Sequence, residues 1–304
     1  SDYGYRDLRS HPLLVSFLGI PYIDVRVSFN SFIPAKLDEK IAKKLVNYYI
    51  SKLDNNKTHH DKVEFEIVFS CYYFGIEKKV DTLARFNFNR EEINSIKYSL
   101  LEITKGIIHP EKGLYKKDLN NVKKLHDKFH DITSSELSLI DKIYWLIKDV
   151  KKYGTLPFAG VARSGFVAIQ FLKSFVSEGI ITNEEYDSFL KSLNTVSKML
   201  IKDKETLSKQ DFIVKYGHLR PGSYDILSKN YKQDYDNYFS DKVEAHVDEI
   251  FYFTDAQISK INTKLLTCKL DVNFDQLIIF IREAIEGRES VKFKFTKSLN
   301  QILI

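Results

Sequence analysis

The chain has 304 residues, of which 43% are hydrophobic and 29% are charged, and its formal net charge at pH 7 is +5. This composition is ample for a buried core, and because the lysine excess is spread along the chain, it excludes a basic nucleic-acid-binding tail. Cys71 and Cys268 form no CxxC pair, so we expect a reduced, cytoplasmic protein. No uninterrupted apolar run reaches the ~18 residues of a membrane-spanning helix, so we predict neither secretion nor a membrane partner.

The first strand pattern lies near the N-terminus. Residues 22–30 alternate strictly between apolar and polar side chains, which is typical of a half-buried strand. The polar face of this predicted strand carries four candidate substrate-binding residues: Asp24, Arg26, Ser28 and Asn30. Residues 13–18 predict its hairpin partner, although the connecting residues, 19–21, do not form a strong two-residue turn signal.

A second alternating stretch covers residues 63–71. Glu64, Glu66 and Ser70 lie on its polar side, so with the hairpin it predicts a small antiparallel sheet. If these strands are neighbours, their polar faces line a pocket. The alternative is that Arg26 pairs with Glu64 or Glu66 across a solvated sheet surface.

Helical periodicity dominates the rest of the chain. Apolar residues recur three and four apart, and Asn89 stands where an N-cap is expected. The predicted helices cover residues 36–54, 90–107, 115–132, 134–153, 157–178, 182–202, 206–216, 244–266 and 273–300. No Gly/Ser-rich linker divides the chain. We therefore predict one α+β domain over residues 1–304, predominantly α-helical, with its β-containing part at about 1–80 and its helical part at about 81–304.

The most distinctive loop follows the helix predicted to end at residue 216. It contains two glycines and a proline together with His218, Arg220 and Tyr224. Arginine offers a planar fork of donors and histidine exchanges a proton near neutral pH, so this loop suits a phosphate or carboxylate group. The alternative is that Gly217 merely ends the helix while Arg220 pairs with Asp225.

A second candidate is the segment 154–166, which places Arg163 and Ser164 among small and apolar residues at the start of a long helix. An arginine in such surroundings needs an anionic partner, which is either a ligand or an internal carboxylate. His126 and His130 are spaced like a metal pair, but lysines flank them and no glutamate base accompanies them. We predict no metal site.

The loop sequence KYGHLRPGSYDILSKNYKQDYDNYF at 215–239 resembles a characteristic stretch of the phosphoenolpyruvate synthase and pyruvate phosphate dikinase-like phosphotransferases. Residues 2–37, 61–72 (DKVEFEIVFSCY), 154–166 (GTLPFAGVARSGF) and 287–299 (GRESVKFKFTKSL) are similar to a branch from capsule and lipopolysaccharide gene clusters. The match covers nearly the whole chain. It departs from the rifampin phosphotransferase branch, where His-Arg-Gly-Pro stands in place of His-Leu-Arg-Pro, which argues against a rifampin-like substrate.

This resemblance implies a three-domain enzyme with an ATP-grasp-like domain, an acceptor domain and a domain that carries a phosphohistidine. The chain has no nucleotide-binding glycine loop and none of its eight histidines lies in a GG-x-x-S-H-like context. We therefore expect it to correspond to the acceptor domain, with no cofactor of its own and ATP and Mg²⁺ bound elsewhere in the polypeptide, and to be inactive alone.

Within this branch the resemblance points to L-glutamine kinase, similar to the enzyme of Campylobacter capsular phosphoramidate synthesis. From the chemistry of the reaction we expect Glu64 or Glu66 to act as the base. His218, Arg220 in the loop and Arg163 in the helix would contact the phosphoryl oxygens. Arg26 suits the α-carboxylate and Asp24 the α-amino group of the substrate. Two alternatives stay open: another small polar acceptor, and a non-catalytic helical interaction module.

Overall fold

The structure is a computed structural model that describes residues 2–221, 227–239 and 249–303. Its described part is mainly helical, with one two-stranded antiparallel sheet near the N-terminus. This confirms the predicted α+β class. The helices, in chain order, are α1 (Val25–Asn30), α2 (Glu39–Asn55), α3 (Ile76–Asp81), α4 (Arg90–Ile108), α5 (Leu114–Thr133), α6 (Leu139–Asp149), α7 (Leu156–Ser177), α8 (Asn183–Lys191), α9 (Val196–Thr206), α10 (Lys209–Tyr216), α11 (Tyr235–Tyr238), α12 (Asp255–Thr267) and α13 (Phe274–Leu303).

The sheet is a hairpin of β1 (Leu14–Phe17) and β2 (Ile20–Ile23), with Phe17 opposite Ile20 in the register. Leu18 and Gly19 alone form the turn, and both have positive φ angles, 52° and 81°. Positive φ at both central residues is the geometry that matches the twist of a two-residue hairpin. The predicted pairing is thus confirmed, but its turn is tighter than the sequence indicated.

The strand predicted at 22–30 is wrong beyond Ile23. The carboxylate of Asp24 accepts hydrogen bonds from the backbone N–H groups of Arg26 and Val27, at 2.9 and 3.1 Å, and so caps helix α1. Such an N-cap satisfies donors that a helix otherwise leaves unpaired. Because helix α1 starts here, the polar residues from 24 to 30 do not share a strand face.

The strand predicted at 63–71 is also wrong. Residues Val63–Ile67 form a turn of π-helix, and Val68 follows it in an extended conformation. Every residue from 67 to 74 is buried, so this stretch has no polar face. The sheet therefore has two strands rather than three.

The predicted helices are confirmed in most places. The N-cap predicted at Asn89 is confirmed, and it is part of a capping box in which Asn89 and Glu92 bond reciprocally at the start of α4. The helix predicted at 182–202 is two helices, α8 and α9, and the one predicted at 244–266 begins only at Asp255 within the described residues. The sequence patterns missed the short helices α3 and α11.

Helices α6 and α7 are joined by a π-helical segment, Val150–Thr155, so that Leu139–Ser177 is one helical run. By length and composition alone this run is apolar enough to cross a membrane, but 56% of its most apolar window is buried within the fold. Core helices of soluble proteins share this property. The structure is therefore compatible with a soluble protein.

The chain divides into two compact units, each made from three segments. Unit 1 comprises Ser1–Leu114, Phe166–Asn183 and Phe253–Ile281, and unit 2 comprises Tyr115–Gly165, Glu184–Tyr252 and Arg282–Ile304. The core of unit 1 is rich in aromatic rings. Among its fully buried side chains are Tyr5, Phe29, Tyr49, Phe74, Phe171 and Phe175.

Unit 2 is built around the second half of α13. Val291 packs in a core with Val122, Leu125, Val150 and Val161 from α5, the π-helical segment and α7. Gly287 allows a close approach of α5, because a Cβ atom there would lie 2.8 Å from Cδ2 of Leu119. Further along α13, the ring of Phe293 contacts α10. This helix thus meets different neighbours on different sides.

Candidate functional site

Four predicted site residues of unit 1 lie on or beside α1. Asp24 caps the helix, and Nη1 of Arg26 donates to Oδ1 of Asn47 at 3.0 Å. Asn30 accepts from Nη1 of Arg6 at 3.1 Å and donates to the carbonyl of Arg26 at 2.9 Å. Ser28 is part of the same single helical turn. These residues are neighbours, but the polar groups of Asp24, Arg26 and Asn30 each already have a structural role.

The predicted acidic residues, Glu64 and Glu66, lie on the π-helical turn that follows α2. Glu64 is half-buried and Glu66 is exposed, and Ser70 is buried behind them. The Ser70 hydroxyl donates to the carbonyl of Glu64 at 3.4 Å, and its own carbonyl accepts from the Tyr5 hydroxyl at 2.5 Å. Ser70 and Glu64 are therefore in contact, but Ser70 bonds to the backbone carbonyl of Glu64 and not to its carboxylate.

Lys52 is a residue of this region that the sequence patterns did not single out. Its ammonium group lies 3.4 Å from the carbonyl of Ile67 and is half-buried against the ring of Phe69. Burial lowers the pKa of Lys52, Glu66 opposes this shift and Lys79 adds to it. Lys52, Glu66 and Lys79 thus form a charged group at the π-helical turn, which is a frequent location of functional sites. No sequence spacing signals it, because the residues come from three separate elements.

In unit 2, the residues His218 and Arg220 lie in the turn directly after α10. On one side, the backbone N–H of Leu219 donates to the carbonyl of Tyr216 at the end of α10. On the other side, the carbonyl of Gly217 accepts from the backbone N–H of Lys232 at 3.1 Å, and the carbonyl of Leu219 accepts from that of Tyr231 at 2.9 Å. The turn is therefore held between the end of a helix and the segment 228–232. Nη1 of Arg220 donates to the carbonyl of Ser228. The suggested pair of Arg220 with Asp225 is not tested, because Asp225 and the predicted site residue Tyr224 lie outside the described residues.

Both ring nitrogens of His218 are buried. The ring packs against Phe293 with 4.8 Å between centroids, and no described residue forms a hydrogen bond of good geometry with either nitrogen. Burial lowers the pKa of His218 to about 4, the charge of Lys297 adds to this, and the nearby backbone of Phe293 opposes it. The imidazole is therefore neutral at pH 7 and presents one N–H donor and one acceptor.

Arg163 and Ser164 lie in the part of α7 that belongs to unit 2. Ser164 is fully buried, and its hydroxyl donates to the carbonyl of Gly160 at 3.2 Å. Val161 and Gly165 approach α13. Since successive helical residues are rotated by about 100°, Arg163 lies on the opposite side of α7 from those two residues. Nη1 of Arg163 is nevertheless shielded from solvent.

The predicted site residues are therefore divided between the two units. One group, at α1 and the π-helical turn, belongs to unit 1, and the other, at the turn after α10 and in α7, belongs to unit 2. Within unit 2 both parts of the predicted site contact α13: Gly165, beside Ser164, contacts Arg288, and His218 contacts Phe293. Five helical positions correspond to a rotation of about 140°, so these two contacts lie on different sides of α13.

One cleft in unit 2 has a volume of about 480 Å³ and lies between α5, α13 and the start of α9. Its polar lining includes Lys116, Lys123, Lys294, Glu283 and Glu286. The two glutamates are already bonded, Glu283 to the Tyr115 hydroxyl at 2.7 Å and Glu286 to the backbone N–H of Asn194 at 2.8 Å. No predicted site residue that the structure describes lines this cleft.

Within the described ranges, no three His, Cys, Asp or Glu side chains are grouped so that they could hold a metal ion. The rings of His126 and His130 do meet on α5, with 4.6 Å between centroids, and both are exposed.

No protein-family model matches the chain, and neither a curated protein nor a solved structure shows significant similarity to it. Its function therefore has to be argued from its own residues.

Proposed function

We propose that this chain binds the acceptor substrate of an ATP-dependent phosphotransferase of the dikinase type, and that the acceptor is L-glutamine. The whole enzyme would transfer a phosphoryl group from a phosphohistidine on another domain of the same polypeptide to the glutamine amide nitrogen. It would act in the cytoplasm, in the synthesis of capsular phosphoramidate. The support comes from the five segments that resemble this family, and from the form of the turn after α10.

The observation that carries the proposal is the ordered, neutral His218 beside Arg220. Backbone hydrogen bonds hold this turn on both sides, and burial keeps the imidazole uncharged at pH 7. A neutral imidazole donates a hydrogen bond without adding a second full charge to that of the neighbouring guanidinium. Such a pair of donors suits the oxygens of a phosphoryl group in transfer. Because both ring nitrogens of His218 are buried in the unbound chain, ligand binding would have to open the turn before the imidazole could donate.

The chemistry requires a base as well as donors. An amide nitrogen is a weak nucleophile because its lone pair is delocalised, so its proton has to leave as the N–P bond forms and the phosphohistidine N–P bond breaks. A carboxylate such as Glu64 or Glu66 would accept that proton. Glu66 is the better placed for proton exchange, because it is exposed and lies in the electrostatic field of Lys52.

Substrate recognition would use the polar groups at α1. Asn47 orients the guanidinium of Arg26, which would bind the α-carboxylate of glutamine. Oδ1 of Asp24 is engaged by the helix cap, so its other oxygen would accept from the α-ammonium group. In unit 2, Arg163 would provide a further donor to the phosphoryl group, because its guanidinium carries a positive charge.

Calorimetric titration of the chain with L-glutamine, L-glutamate, L-asparagine and pyruvate tests the proposal. We expect selective binding of L-glutamine, and at least about tenfold weaker binding in the variants Arg26→Ala, Arg163→Ala and His218→Ala. Arg220→Lys keeps the charge but removes the planar fork, so it should weaken binding as well. His126→Ala, which removes an exposed histidine on α5, is the matched control and should bind like the unaltered chain.

Two results would contradict the proposal. Equal binding of L-glutamate and L-glutamine would show that the amide is not recognised. Unchanged L-glutamine affinity in all four site variants would place the acceptor elsewhere on the chain.

An interaction module is the second candidate, and the hairpin favours it. Leu14, Phe17, Ile20 and Ile23 are each more than half exposed, and Leu18 is fully exposed at its tip. An apolar ribbon of this kind is typical of a protein-binding surface. A chain that binds none of the four small molecules would favour this alternative.

A further inference from the structure

A second cleft of unit 2 lies between the end of α5 and α6, away from the residues of the proposed acceptor site. It has a volume of about 350 Å³ and is lined by Lys128, Asp131, Ile132, Leu137, Trp145, Asp149 and Tyr153. This volume is within the range of small-molecule sites. The lining combines two aromatic rings with two carboxylates, which is an unusual set for a solvated helix surface.

Three of these residues, Trp145, Asp149 and Tyr153, follow one another at intervals of four. In an α-helix each such step rotates the side chain forward by about 40°. The π-helical segment begins at Val150, and its wider turn rotates Tyr153 back toward the line of the other two. The π-helical segment therefore aligns an indole, a carboxylate and a phenol along one wall of the cleft.

Asp149 has no hydrogen bond or ion pair with any described residue, although it is half-buried. Burial raises the pKa of Asp149 and Asp131 adds to this, whereas Lys128 and Lys152 oppose it. The other carboxylate of the cleft, Asp131, already pairs with Lys128 at 3.4 Å. A partly desolvated carboxylate without a partner favours the arrival of a cation.

The ring of Trp145 is also available. It is 50% exposed and meets Tyr144 edge-on, at 5.3 Å between centroids, and no described lysine or arginine lies over its face. The neighbouring Tyr153 shows that this surface attracts ammonium groups, because Lys152 and Lys124 lie 5.0 and 5.9 Å from its ring centroid. Of the aromatic side chains, tryptophan attracts cations most strongly.

The negative charge of the cleft is concentrated at Asp149. Among the lining residues one lysine and two aspartates give a formal charge of −1, and Lys128 is paired with Asp131. Lys124 and Lys152 lie outside the lining, at the Tyr153 ring. The apolar contacts from Ile132, Leu137 and the indole suit short alkyl groups rather than a hydrated metal ion. We propose that this cleft is a binding site for a small organic cation, an alkylammonium group held between the Trp145 ring and the Asp149 carboxylate.

Trp145 is the only tryptophan of the chain, so its fluorescence reports on this cleft alone. The experiment is a fluorescence titration of the whole chain with tetramethylammonium chloride and, separately, n-butylammonium chloride, each matched in ionic strength by sodium chloride. We expect a saturable change for at least one of the two cations, with a dissociation constant in the millimolar range, and no saturable change for sodium chloride.

The Asp149→Asn variant should bind the cation at least about fivefold more weakly, because it keeps the shape but removes the charge. It should fold at least as well as the unaltered chain, since the raised pKa of Asp149 means that the cost of desolvating the carboxylate exceeds the attraction of Lys128 and Lys152. Asp127→Asn, an exposed carboxylate on α5 outside the cleft, is the control and should bind normally. Trp145→Leu, measured by calorimetry, should lose affinity by a similar factor.

Absence of a saturable signal with both cations would overturn the proposal. So would unchanged affinity in both Asp149→Asn and Trp145→Leu. These outcomes are independent of L-glutamine binding, because none of the cleft residues belongs to the proposed acceptor site.

Discussion

The carboxylate of Glu289 on α13 accepts a hydrogen bond from the backbone N–H of Val196, the first residue of α9, at 2.9 Å. The amide groups at a helix start are unpaired within the helix, and a negative charge there is favourable. Glu286, one turn earlier on α13, accepts in the same way from Asn194. Two glutamates of one helix thus fix the start of another.

Loss of this contact should destabilise the protein. We expect Glu289→Ala to lower the free energy of unfolding by about 1 kcal/mol, because it leaves the Val196 N–H without its acceptor. Glu289→Gln keeps an acceptor oxygen and should cost less than half of that. Urea denaturation measures both, with exposed Lys292→Ala as control. Equal stability of the alanine and glutamine variants would mean that the hydrogen bond contributes little.

Acid should weaken the fold through His218. The pKa of His218 is about 4 in the folded chain and about 6.5 in the unfolded chain. Between these values the unfolded state binds more protons, so stability falls as the pH falls from about 6.5 toward 4. A His218→Gln variant lacks this titration. We therefore expect the stability difference between the variant and the unaltered chain to shift in favour of the variant over this window.

The measurement is urea denaturation of both proteins at pH 7, 6, 5 and 4.5, which compares differences rather than absolute stabilities. Parallel curves at all four pH values would contradict a buried, neutral His218.

Replacing Leu18 in the hairpin turn should stabilise the protein. Leu18 has a φ angle of 52° and is fully exposed, and left-handed backbone is strained for leucine but common for asparagine. We expect Leu18→Asn to stabilise the chain by about 0.5 kcal/mol, since Asn-Gly is the preferred sequence of this turn. Leu14→Asn makes the same chemical change in extended strand β1 and should not stabilise it. Thermal unfolding of the two variants distinguishes backbone relief from loss of an exposed apolar side chain.

Two helical glycines should respond to alanine in opposite directions. A Cβ atom on Gly287 would lie 2.8 Å from Cδ2 of Leu119, so Gly287→Ala should cost about 1 kcal/mol because the Leu119 side chain is displaced from its packing. Gly106 in α4 has no atom within 4 Å of that position. Gly106→Ala should therefore stabilise by about 0.5–1 kcal/mol through helix propensity alone. Stabilisation by both substitutions would show that α5 and α13 are not in close contact at Gly287.

Local signals in the sequence were sufficient where neighbouring residues decide the structure. The N-cap predicted at Asn89 depends only on the residues beside it, and the structure forms it as part of a capping box with Glu92. Residues 22–30 show the limit of such signals. Over nine residues, an alternation of apolar and polar side chains also fits a short helix. Four apolar side chains of this stretch were predicted to be buried, and only that of Phe29 is buried. The cap supplied by Asp24 decides in favour of the helix.

Much of the site could not be predicted, because it depends on contacts between distant segments. The spacing of Trp145, Asp149 and Tyr153 is visible in the sequence, but the lack of a partner for Asp149 is a property of the folded surface. The same holds for Lys52, whose lowered pKa results from burial against Phe69. His218 and Arg220 were predicted from composition alone, and the structure adds the backbone hydrogen bonds that hold their turn.

The assembly of each unit from three separate segments has a consequence for synthesis on the ribosome. Unit 1 begins at the N-terminus but is completed only by the segment that ends at Ile281, and unit 2 needs the residues that follow it. At ~5–20 residues per second, the ribosome takes on the order of ten seconds or longer to add residues 115 to 281. During that time the aromatic surface of the first segment lacks its partners, so nascent chains of this protein should depend on chaperones until the segment that ends at Ile281 has left the ribosome.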